Sequence, residues 1–139
     1  MTSEIHPLAL EQIAQLAYIE ERFAPGTTIF AQGDTCDAVY LVRGGAVELS
    51  FKDDRNATHI LRIAHAGDLL GLPAALGARP YSKSAIATEI SVLHRIEVGR
   101  FLACVEANPE CRLLALIRLN EDTVAIQALF KRLLAAHAA

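Results

Sequence analysis

Tryptophan is absent from this chain of 139 residues, and cysteine occurs only three times, at Cys36, Cys104 and Cys111. Three cysteines without a CxxC spacing provide neither a disulfide framework nor a zinc knuckle, so a reducing, cytoplasmic setting is the expectation. Long hydrophobic runs are also missing: charges interrupt each apolar stretch, and no basic-then-apolar segment opens the chain, which argues against a membrane span or a signal peptide. Positive charge is not in excess. With 13 Lys and Arg against 16 Asp and Glu the net charge is −3, which gives no global attraction to phosphate backbones or anionic lipid, and no direct nucleic-acid partner is expected. A P-loop, a nucleophile elbow and a glycosidase-like carboxylate pair are likewise lacking, so no enzymatic activity is expected.

What is present is ample material for a core. Hydrophobic residues make up 53% of the chain and charged ones 21%, which fits one folded domain over residues 1–139. Residues 8–23 carry Leu10, Ile13, Ala14, Leu16 and Ala17 at helical spacing, predicting an N-terminal helix stopped by Pro25-Gly26. From 27 to 97, short β-branched and aromatic runs are cut by Gly-Asp, Gly-Gly and Asp-Asp-Arg-Asn turns, predicting an antiparallel β sandwich or barrel. Within it, Ala38–Val42 and Ala46–Ser50 read as a hairpin across Arg43-Gly44-Gly45, residues 59–63 as a returning strand, and residues 87–96 as a later one. A short helix is expected over 101–107. Asn108-Pro109-Glu110 then reads as a cap and first turn, opening a long helix over 110–136 with no Gly or Pro inside. Its apolar stripes are wide enough for two surfaces, one for the β domain and one for a second copy, with Asn120 and Gln127 near the seam, so a homodimer is expected.

The order of these elements, and several turn texts in sequence, resemble the sensory domain of the Crp/Fnr-type regulators, the cyclic-nucleotide-binding family. The texts are residues 23–30 (FAPGTTIF), Gln32-Gly33-Asp34, Val39–Val42, Gly44–Leu49, Gly67-Asp68-Leu69-Leu70-Gly71, Ser84-Ala85 and Asn108-Pro109-Glu110. The resemblance implies a mainly β jelly roll (a double-stranded β-helix) flanked by helices, with a long C-terminal dimerisation helix. It also implies a ligand-sensing regulatory role, with cyclic AMP or cyclic GMP as the family's ligand. The family usually continues into a helix-turn-helix, and no such reader is recognisable within these residues.

The same resemblance implies a phosphate-binding cassette over residues 71–85, with Gly71, Leu72, Pro73, Ala74, Lys83, Ser84 and Ala85 as its ligand-binding residues and Gln127 contacting the base from the long helix. Three positions depart from the family pattern. Where it carries a Glu that accepts the ribose hydroxyl, this chain has Leu72. The family's Arg-Ser-Ala falls on Lys83-Ser84-Ala85 if one residue is inserted before it, which replaces a bidentate fork by one ammonium. Ile126, beside Gln127, offers no hydrogen bond to a base. An alternative therefore stands beside sensing: a dimerisation or interaction module whose pocket is degenerate and empty. Arg79 is read as a solvated side chain, Gly33, Asp34, Gly67 and Asp68 as turn formers, and the three thiols as buried and inert. Five histidines, His6, His59, His65, His94 and His137, lack the spacing of a metal site.

Overall fold

The computed structural model describes residues 16–138. Eight strands form two antiparallel four-stranded sheets. They are β1 (Ile19–Phe23), β2 (Thr28–Phe30), β3 (Ala38–Gly44), β4 (Val47–Lys52), β5 (Thr58–Ala64), β6 (Leu69–Leu70), β7 (Ser84–Ala87) and β8 (Ser91–Glu97). One sheet runs β1-β8-β3-β6 and the other β2-β7-β4-β5, so consecutive strands alternate between layers as in a jelly roll, except for β4 and β5, which pair as a hairpin within one sheet. Among the described residues three helices accompany them: α1 (Leu72–Gly77), α2 (Val98–Ala107) and α3 (Pro109–Ala138).

The segment 19–23, expected to end a helix, is strand β1 instead. Ile19 pairs with Arg95 and Phe23 with Ser91, so this segment completes the open edge of β8. Edge pairing satisfies backbone groups that a weak helical stripe cannot override. The earlier part of that expected helix, residues 8–15, lies outside the described residues.

The hairpin over residues 38–50 is not formed either. β3 pairs with β8 and β6, and β4 pairs with β5 and β7, so the chain steps from one sheet to the other at Gly44-Gly45. Gly45 holds φ at +89°, and a Cβ there would overlap Ser91 Oγ and the Ile90 carbonyl. The glycine serves a sheet-to-sheet corner rather than a tight turn. Residues 87–96 are likewise divided, β7 ending at Ala87 and β8 starting at Ser91.

β3 explains how the layers are built. Ala38, Tyr40 and Val42 face the sandwich interior with Phe30, Val47, Leu49, Leu70 and Leu93. Val39 and Leu41 face the other way, into a second core with Leu69, Ile96, Leu72, Phe101, Cys111 and Leu114. Alternation along the strand therefore buries all five residues, as expected where both faces of a sheet are covered. The helix start at Asn108 is as read: its Oδ1 accepts from the backbone N–H of Glu110 at 3.0 Å and of Cys111 at 3.3 Å. Arg112 also donates back to the carbonyls of Val105 and Glu106, which fixes α2 against the first turn of α3.

Candidate functional site

The segment between β6 and β7 lies across one end of the sandwich. It begins at Gly71, the N-cap of α1, with φ 93° and ψ 11°. A side chain here would need left-handed backbone and would bring Cβ to 3.1 Å from Tyr81 Cε1, so glycine lets the chain turn tightly against that ring. Pro73 sits in the first turn of α1 and lacks an N–H, which removes one of the free donors a helix start otherwise offers.

The return from α1 is strapped to the turn after β2. The Gly33 N–H donates to the Tyr81 carbonyl at 2.8 Å, and the Tyr81 N–H to the Asp34 carbonyl at 2.9 Å. Ser84 Oγ accepts from the Gln32 N–H at 2.9 Å, while the Gln32 amide pairs in both directions with the backbone of Lys52. Gln32-Gly33-Asp34 thus belongs to the support of this segment.

Aromatic side chains close the interior. Phe30 and Tyr81 stack with ring centroids 3.9 Å apart, and the Tyr81 hydroxyl donates to the Ala38 carbonyl at 2.5 Å. Burial pushes the Tyr81 phenol well above its ordinary pKa, so it stays a protonated donor. The cavity bounded by Phe30, Leu49, Gly71, Pro73, Tyr81 and Lys83 has a volume of about 10 Å³, room for roughly one water molecule. Larger spaces lie outside, on either side of the Ala78–Pro80 turn: about 370 Å³ beside Cys36, Val98 and Leu102, and about 390 Å³ beside Pro73, Ser82 and Leu119. Arg79 lines both.

The sequence-derived residues fall into three groups. Gly71, Pro73, Ala74 and Lys83 line the interior cavity, and Lys83 is only 6% exposed. Ser84 and Ala85 sit on β7 beside it, with Ala85 fully buried and the Ser84 hydroxyl already engaged. Leu72 is directed away, into the helical core with Val39, Leu41 and Phe101. Thus the residue standing in place of the family's carboxylate packs behind the cassette. Gln127 is exposed on α3, eight residues beyond Leu119, which lines the outer groove. The side chain of Ile126 lies outside those described.

One link escapes the sequence reading. Asp68, just before β6, accepts from the His65 N–H at 2.9 Å and from Arg62 at 3.5 Å. Arg118 on α3 comes within 3.8 Å of the same carboxylate and donates to the Gly67 carbonyl at 3.5 Å. The turn leading into the cassette is therefore joined directly to the long helix. The pattern 67–71 signalled the turn, but nothing local marked Arg118, 50 residues away, as its partner.

Residues 20–108 match the family described as the cyclic nucleotide-binding domain. This chain belongs to that family. The domain is 33% identical over 106 residues to the cyclic AMP receptor protein of Thermus thermophilus, a match covering 75% of this chain and 49% of that protein. The chain thus spans about half the length of this curated relative. Its fold matches the crystal structure of the Thermus thermophilus catabolite activator protein with a TM-score of 0.72 at 27% identity, over 95% of this chain and 59% of that one. A second solved structure, the c-di-GMP responsive global regulator CLP of Xanthomonas campestris, shares the fold with a TM-score of 0.78 at 17% identity, over 91% and 64% of the two chains. No described helix of the domain is long and apolar enough to cross a membrane.

Proposed function

We propose that this domain is the sensory unit of a Crp-type regulator, taking the anionic group of a cyclic nucleotide or another small anionic ligand into the sandwich. The observation that carries this reading is Lys83: a cation 6% exposed, lining the interior cavity together with the Gly71 turn. An anion entering the cavity would find it already oriented.

Entry requires opening. A cavity of about 10 Å³ holds no nucleotide, since small-molecule pockets run to about 300 Å³ or more. The Phe30–Tyr81 stack and the strap to Gln32–Asp34 have to part for a ligand to enter. Such a ligand selects an open form over the closed one, and it shifts the domain only by its differential affinity for the two. The Asp68–Arg118 link supports a route by which this movement reaches α3 and, through it, a second copy or a following output domain. No catalytic step is assigned.

The same small cavity favours a second reading, a dimerisation or interaction module whose pocket stays shut. Calorimetric titration of the purified protein with cyclic AMP, cyclic GMP and c-di-GMP separates the two. Sensing predicts saturable binding of one of them, weakened about 10- to 100-fold by Lys83→Ala, in line with about 1.5–3 kcal/mol for a hydrogen bond to a charged group. No saturable heat with any of the three, or binding indifferent to Lys83→Ala, favours the shut module.

A further inference from the structure

α2 ends at Ala107 and α3 begins at Pro109, and a cysteine lies on each side of this junction. The Sγ atoms of Cys104 and Cys111 are 2.7 Å apart, and no disulfide joins them. Their backbones are held by the turn itself: Asn108 N–H donates to the Cys104 carbonyl at 2.9 Å, and the Asn108 side chain accepts from Cys111 N–H at 3.3 Å. Closing the remaining gap to a disulfide bond of about 2.05 Å needs only a sub-ångström side-chain movement. We infer that Cys104 and Cys111 form a reversible dithiol–disulfide pair, oxidised by a low-molecular-weight disulfide, that pins the first turn of α3 to α2. This holds whether or not the sandwich binds a ligand.

The two thiols have unequal surroundings. Cys111 is fully buried, and its pKa is pushed up to about 12, first by burial and then by Cys104. Cys104 is partly exposed. Cys104, as thiolate, therefore attacks the small disulfide, forming a mixed disulfide and releasing one small thiolate. The Cys111 sulfur then attacks the Cys104 sulfur as its proton leaves, and expels the second. Two electrons pass from the protein to the small disulfide, and the two thiol protons end on the two small thiols. Cys36 stands outside the pair, its Sγ donating to the Ala38 carbonyl at 3.7 Å.

The test is to equilibrate the full chain with oxidised glutathione, quench in acid, denature and label with a maleimide. Labels per chain are expected to fall from three to one, the remaining label on Cys36, and reduced glutathione restores all three. Peptide mapping is expected to show Cys104 joined to Cys111. Cys36→Ser should fall from two labels to none, whereas Cys104→Ala should keep both of its thiols or stop at a glutathione adduct. Oxidation is also expected to raise the melting temperature by about 5 °C or more, from the small loop closed in the unfolded chain. Three labels retained after equilibration, a lasting glutathione adduct on Cys104 in the unaltered chain, or bonds only between chains would each overturn the proposal. Cys104→Ala removes the partly exposed thiol and leaves the buried one in place, so a failure of Cys111 variants to fold does not obscure the result.

Discussion

Single side chains account for much of this domain's behaviour. Phe101, fully buried between α2 and the outer face of β3 and β8, packs in the helical core, and Phe101→Ala is expected to lower stability by about 3–5 kcal/mol in urea denaturation. Gly71→Ala is expected to cost about 1–2 kcal/mol from the left-handed backbone alone, with more from the approach to Tyr81, read in the same experiment. His94 adds a pH dependence. It stacks on Tyr18 with ring centroids 3.7 Å apart, and burial, followed by the charge of Arg43, lowers its pKa, with Glu20 partly opposing. A folded-state pKa below the unfolded one means that the unfolded chain takes up the proton first. Stability is then full above the unfolded value near 6.5 and declines as pH falls through and below it. Denaturation midpoints measured from pH 7.5 to 5 are expected to decline, and His94→Gln is expected to flatten that slope. At this scale the sequence was informative where a residue's chemistry demanded a place, as at Gly71 for its turn; Lys83 was singled out only through the family resemblance. It was silent on the Phe30–Tyr81 stack, because rings 51 residues apart leave no local pattern. It placed Cys104 and Cys111 only as separate thiols, because they meet across a helix break.

Among elements, local patterns were most misleading at boundaries. Residues 19–23 read as helix because Leu16, Ala17 and the flanking glutamates keep the helical spacing, yet the open edge of β8 claims them as a strand. Ala38–Val42 and Ala46–Ser50 alternate as a hairpin would, and only the crowding around Gly45 separates a turn from a step between sheets. The long helix, by contrast, was legible from its cap and from the lack of breakers. The Asp68 junction gives this scale its own prediction. Asp68→Ala removes acceptors for His65 N–H and Arg62 and leaves Arg118 without its carboxylate, so a loss of about 1–3 kcal/mol is expected. Arg118→Ala keeps the turn and frees only the helix, so it is expected to cost less while raising amide exchange in residues 65–70.

For the whole molecule, the family match and the jelly roll agree with what the ordered turn texts implied. α3 exposes Leu113 and Leu116, the latter at 62%, on the stretch expected to meet a second copy. Sedimentation velocity is expected to show a dimer for the unaltered chain and a monomer for Leu116→Glu. β3 carries a consequence for the entire domain, because its five apolar residues serve as the common wall of two hydrophobic cores. Neither core can be dissolved while that wall stands, so the strand cannot open by a local fluctuation. Its amides should exchange with deuterium only when everything else has come apart, and the slowest of them would report the global free energy of unfolding.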